Sequence, residues 1–266
     1  MRLDDHRAFT AALRARLEAR DDVLGLVALG SMAEVGELPD DRSDHDFFVV
    51  VEPHAAEGYR ARVDWLPDPG AVALHFRETP HGQKVILASG HLLEYAVFTR
   101  EELALARVNR YRVLVDKADV AERMAAVADA TRARATREAP SDAWLVGLLL
   151  SEALVAALRD SRGEHLSGGQ RRQQAMVHLL RLAARHVPRA ADARLDDLDA
   201  SRRVERAWPE LAARLVRAER ESGQAHVEAI LDAAELTLAP RMPAFPREAL
   251  AAVRRRVAEV YRTAAA

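Results

Sequence analysis

The chain has 266 residues, enough for two domains of ordinary size, and a formal charge of −2, which lacks the basic excess that non-specific nucleic-acid binding needs. Cysteine is absent, which excludes a disulfide framework and any thiolate zinc site. No apolar run reaches the length of a membrane span and Met1 to His6 lacks the apolar core of a signal peptide, so the expected setting is the cytoplasm, with neither membrane nor nucleic acid as partner.

From the N-terminus, Leu3 to Arg20 spaces Phe9, Leu13 and Leu17 four apart, which predicts a helix with one apolar face laid on a sheet. Val23 to Leu29 and Phe47 to Val51 are rich in branched and aromatic residues and predict two strands of that sheet. Pro53 predicts the start of a helix running to about Trp65, with Tyr59 and Val63 inward, before Pro67, Pro69 and Gly70 break it. Val72 to Phe76, Lys84 to Ala88, Leu92 to Phe98 and Arg112 to Val115 read as further strands, and Ala118 to Thr136 as an amphipathic helix. Pro140 then stops one helix, while Ser141 and Asp142 can cap the next. Beyond it the pattern is helical: Asp142 to Asp160, Gln170 to His186, Ser201 to about Ser222 with a break at Pro209, Ala225 to Leu238, and Arg247 to Thr263. The expected fold class is α+β, with a mixed sheet flanked by helices over residues 1–138 and a helical bundle over 139–266.

The chemistry concentrates around the first two strands. Asp44 and Asp46 stand at the mouth of the second, on one face of it, while His45 points to the other; two residues of strand separate their Cα atoms by about 6.6 Å, a span that one small hard cation bridges. Gly30 and Ser31 end the first strand, where N–H groups and a hydroxyl can turn to a phosphate, and a helix starting near Met32 would add its positive end. On a later strand Leu92, Glu94, Ala96 and Phe98 share a face; an acid in that company is costly to bury unless paired with an Arg or bound to metal. Arg42, beside the acidic pair, and Lys84 supply positive charge for phosphates. None of the ten histidines has the spacing of a helical zinc site.

Gly30 and Ser31, a loop, and then Asp44 and Asp46 leading into an apolar strand resemble the signature of the DNA polymerase β-like nucleotidyltransferase superfamily, which includes the antibiotic nucleotidyltransferases. The run from His81 through Glu94 to Lys117, the length and the helical second half are similar to lincosamide nucleotidyltransferases. The resemblance implies Mg²⁺-dependent transfer of a nucleotidyl group, with ATP the expected nucleoside triphosphate, onto a hydroxyl of a small molecule such as a lincosamide or an aminoglycoside. It implies Asp44, Asp46 and Glu94 as metal and catalytic residues, Glu94 being either third ligand or general base, with Gly30, Ser31, Arg42 and Lys84 on the nucleotide. The helical bundle would then bind the acceptor, in a monomer or homodimer. The acidic loop of Glu34, Glu37, Asp40 and Asp41 favours a cationic acceptor and the resemblance favours a lincosamide. A regulatory module, or a toxin-antitoxin enzyme acting on protein or RNA, is the alternative.

Two motifs in the helical half compete for attention. Leu166, Ser167, Gly168, Gly169 and Gln170 match the signature of ABC-transporter ATPases, yet no Walker A sequence accompanies them. Their N–H groups, with Arg171 and Arg172, could instead contact a nucleotide phosphate. Arg172 and His178 have a spacing similar to that of HEPN-domain RNases.

Overall fold

The computed structural model describes residues 2–35, 38–191, 193, 199 and 201–264, and the chain divides into two compact units, Met1–Glu138 and Ala139–Ala266. The first unit runs α1 (Leu3–Glu18), β1 (Val23–Leu29), β2 (His45–Val51), α2 (Ala56–Ala61), β3 (Val72–Arg77), β4 (Gly82–Leu87), β5 (Leu92–Thr99), β6 (Tyr111–Asp116) and α3 (Val120–Arg137). Its six strands form one mixed sheet in the order β3-β4-β5-β2-β1-β6, antiparallel except where β2 meets β5.

Strand alternation sorts side chains onto the two faces of that sheet. Phe47, Val49 and Val51 of β2 join Leu13 and Leu17 of α1, Tyr59 and Trp65 in one core, while Phe48 and Val50 join Val120, Met124 and Val127 of α3 in the other. Asp46 and Glu94 therefore belong to the α3 face, and His45 to the α1 face.

In the first unit two expected helices are changed. The helix expected from Pro53 to Trp65 shrinks to α2, because Arg62 is extended and the Trp65 indole N–H donates to the carbonyls of Arg62, at 2.7 Å, and Tyr59, at 3.2 Å, folding the chain end into the core. Near Met32 no helix starts. The Ala33 N–H donates to the Leu29 carbonyl at 3.1 Å and the Glu34 N–H to that of Ser31 at 3.1 Å, and Glu34 at φ +53° then turns the chain away after a single turn.

The second unit contains α4 (Asp142–Asp160), α5 (His165–His186), α6 (Val204–Ala207), α7 (Pro209–Ala218), α8 (Gly223–Leu238) and α9 (Arg247–Ala264) around one apolar core. Ser141 caps α4 by accepting the Trp144 N–H at 3.2 Å, and Pro209 opens α7. Helices α4 and α5 lie antiparallel: Arg171, Arg172 and Arg185 of α5 pair with Glu152, Asp160 and Asp142 of α4. Among the described residues no single helix is long and apolar enough to cross a membrane.

Candidate active site

Gly30 sits at φ +51°, in the left-handed region, and a Cβ placed on it would lie 2.9 Å from Asp46 Oδ2. Only glycine meets both conditions, so the turn after β1 rests directly on a carboxylate of β2. Ser31 and Met32 continue that turn. Met32 and Ala33 are buried beneath, fixing the turn from below.

Asp44 precedes β2 and Asp46 is its second residue; both side chains are half-buried. Glu94 of β5 stands opposite Asp46 in the parallel register, and Lys84 of β4 opposite Glu94. One row across three strands thus reads Asp46, Glu94, Lys84. The Lys84 Nζ lies 3.2 Å from Glu94 Oε1 and 3.0 Å from Glu78 Oε1, and the bonds to Glu78 and then Glu94 hold its ammonium above the ordinary lysine range. Glu94 is partly exposed, so the sheet does not bury an unpaired acid, and its partner is a lysine where an arginine was the expected alternative.

In the acidic loop beside β2, two of the acids are taken up by neighbouring groups. Asp40 accepts the Arg42 N–H at 2.9 Å and the Ser43 hydroxyl at 3.1 Å, and the Arg42 N–H and then the Ser43 hydroxyl depress its carboxyl below the usual range. It closes the turn that launches Asp44. Glu34 is engaged by Arg112 at 3.0 Å and Arg7 at 3.7 Å, while Glu37 lies outside the described residues. The Arg42 side chain is exposed.

The opposite face of β2 holds a group that no spacing signalled. His45 is fully buried, its ring stacked at 3.7 Å on His6 and its Nδ1 2.6 Å from His91 Nε2. Backbone oxygens only accept, so they fix the tautomers: His45 Nε2–H donates to the His6 carbonyl at 3.1 Å and His6 Nε2–H to the Asp44 carbonyl at 3.1 Å. His45 Nδ1 is left to accept from His91 Nε2–H. Burial, and then the neighbouring imidazoles of His6 and His91, push His45 down to about 3. Through the His6 ring this cluster holds the backbone of Asp44 from the α1 face.

Among the described residues no group of three or more His, Asp or Glu side chains is gathered as a metal cage. Mg²⁺ does not need one, since it keeps several waters and takes one or two carboxylates together with substrate phosphates. The pair Asp44 and Asp46, with the glycine cradle against Asp46, fits that donor set.

In the second unit the glycine motif is absorbed by packing. α5 begins at His165, so Leu166 to Gln170 form its first turns; the Ser167 hydroxyl meets Arg159, Arg171 pairs with Glu152, and Arg172 with Asp160. Those arginines are held by acids of α4. Arg172 and His178 are not brought together either: six residues of helix set them on different sides, and His178 is buried against Trp144.

No family model matches the chain, and no curated protein matches its sequence. Among solved structures it is similar to the crystal structure of an aminoglycoside 6-adenyltransferase from Bacillus subtilis, at 12% identity and a TM-score of 0.36, over 94% of this chain and 97% of that one. A likeness this loose assigns no residue a role.

Proposed function

We propose that the first unit is a Mg²⁺-dependent nucleotidyltransferase that moves an adenylyl group from ATP to a hydroxyl of a small molecule, with lincosamides and aminoglycosides the first acceptors to test. The observation that carries this reading is the seat of the Gly30 turn on the Asp46 carboxylate, with Glu94 in register one strand away. In this reading the turn would offer its N–H groups to a phosphate beside the acids that would bind the metal.

Asp44 and Asp46 would hold the ion, which when bound neutralises charge on the triphosphate. The Ser31 hydroxyl and the N–H groups of Ser31 and Met32 would grip the outer phosphates, and Arg42 lies within the same loop to add charge. Glu94 would take the proton of the acceptor hydroxyl, whose oxygen then bonds to the α-phosphorus while the bond to pyrophosphate breaks. Lys84, already on Glu94, would hold that carboxylate in position. The helical unit would supply the acceptor-binding domain.

A thermal-shift comparison of the wild type and Asp46→Asn, with each of the four nucleoside triphosphates and with or without Mg²⁺, tests this. One nucleotide at about a hundred times its dissociation constant should add about 2.7 kcal/mol, only with Mg²⁺ and only in the wild type. No shift with any nucleotide would overturn the reading and direct attention to a module that binds protein or RNA.

A further inference from the structure

The helical unit holds a cavity of about 390 Å³, walled by the start of α4, the end of α5 and the segment leading from α8 into α9. That volume falls in the range of small-molecule sites. Val146, Leu150, Met242 and Pro246 make the walls apolar. Gly147 forms part of the lining, and a Cβ placed on it would meet nothing within 4 Å. Gly147 lies in the second turn of α4 and is exposed, so the cavity opens to solvent there and a long side chain at this position would reach over the space that glycine leaves clear.

Polar groups gather at one point of the lining. His186 Nε2 lies 2.8 Å from Asp142 Oδ2, and Arg185 Nη1 lies 2.8 Å from Asp142 Oδ1 and 2.6 Å from the Pro140 carbonyl. Arg185 and then His186 hold the Asp142 carboxyl below its ordinary range, so it is a carboxylate and can only accept. In the neutral imidazole the proton on this pair then sits on Nε2, and Nδ1 is the ring's acceptor. Asp142 is already paired with Arg185, which offsets its charge and weakens its pull on an ammonium group, and an anion would face a carboxylate.

We propose that this cavity binds a small, neutral, largely apolar molecule carrying a hydroxyl group, whose O–H donates to His186 Nδ1. The site lies within the helical unit and stands whether or not the first unit transfers nucleotides.

Calorimetric titration of the full chain at pH 8 with 2-naphthol and with 2-methylnaphthalene, which has a methyl group in place of the hydroxyl, tests it. The expected result is binding of 2-naphthol about tenfold tighter than its analogue, the size of one hydrogen bond. Gly147→Leu places a better helix former in the empty space and should keep the thermal transition while abolishing binding. His186→Phe keeps the apolar wall and should erase the preference between the two probes. The proposal is overturned if neither probe binds the wild type, if both bind equally, or if Gly147→Leu binds 2-naphthol unchanged. Should His186→Phe fail to fold, the probe pair and Gly147→Leu still decide.

Discussion

At Gly30 one residue answers to two demands, a left-handed backbone and a carboxylate 2.9 Å from where a Cβ would be. Gly30→Ala should cost about 1–2 kcal/mol from the backbone alone. Because relief of the contact moves either the turn or Asp46, nucleotidyl transfer should fall by about a hundredfold or more in protein that still folds. Urea denaturation and turnover, measured side by side, check both. His45 carries a pH signature. Its folded pKa of about 3 lies below the 6.5 of the free side chain, so between those values the unfolded chain binds a proton that the folded chain refuses. Stability is thus complete above about pH 6.5 and falls as the pH drops through the window; His91, also lowered by burial, acts in the same direction. Unfolding free energy should drop by about 1–2 kcal/mol between pH 7.5 and 5.5, and His45→Gln should flatten the slope. The approach of the Gly30 turn to Asp46 was legible because its pattern is local in sequence. His6 and His91 were not, since they reach His45 across spans of 39 and 46 residues that leave no periodicity to read.

Elements were legible where one face is greasy and the other wet. β1 and α4 run between the residues expected of them, and β3 to β6 differ from expectation by a residue or two at their ends. Expectations failed where a single contact decides an end: the Trp65 indole stops α2, and Glu34 turns the chain after Ser31. At α5 they failed because adjacent glycines read as a helix boundary when a close helix crossing was the reason for one of them. A Cβ on Gly168 would strike Asp160 Oδ1 and lie 3.2 Å from the Ala156 carbonyl, so α4 and α5 approach too closely for any side chain. The two helical glycines therefore predict opposite signs. Gly147→Ala, into open space, should raise unfolding free energy by about 0.5–1 kcal/mol through helix propensity. Gly168→Ala makes the same propensity gain but overpacks a buried ion pair, and should lower it by about 1–3 kcal/mol. A pair of melting curves, or a denaturant titration of each variant, separates them; equal signs would mean that α4 and α5 are not locked through Asp160.

For the whole molecule the informative fact is where the apolar clusters stop. The two clusters on the sheet draw their buried residues from the first unit, and the cluster of the bundle draws its residues from the second. A unit with its own core can fold without its neighbour, since burial within it offsets its own chain entropy. The N-terminal end of the second unit is also finished: Ser141 caps α4, and Arg185 ties the Pro140 carbonyl and Asp142 to the end of α5. Residues 139–266 expressed alone should therefore give a helical circular-dichroism spectrum and one cooperative thermal transition. Asp160, the last residue of α4, has its side chain 2% exposed, paired with Arg172 and 3.3 Å from the Tyr261 hydroxyl. Removing it strands a buried guanidinium, so Asp160→Ala should destabilise the fragment by about 3–5 kcal/mol. It should leave the Mg²⁺-dependent nucleotide shift of the full chain in place, because Asp44, Asp46 and Gly30 belong to the other unit. A fragment that stays unfolded would show that the core of the bundle needs the first unit to close, and loss of the nucleotide shift in Asp160→Ala would show the same dependence in the opposite direction.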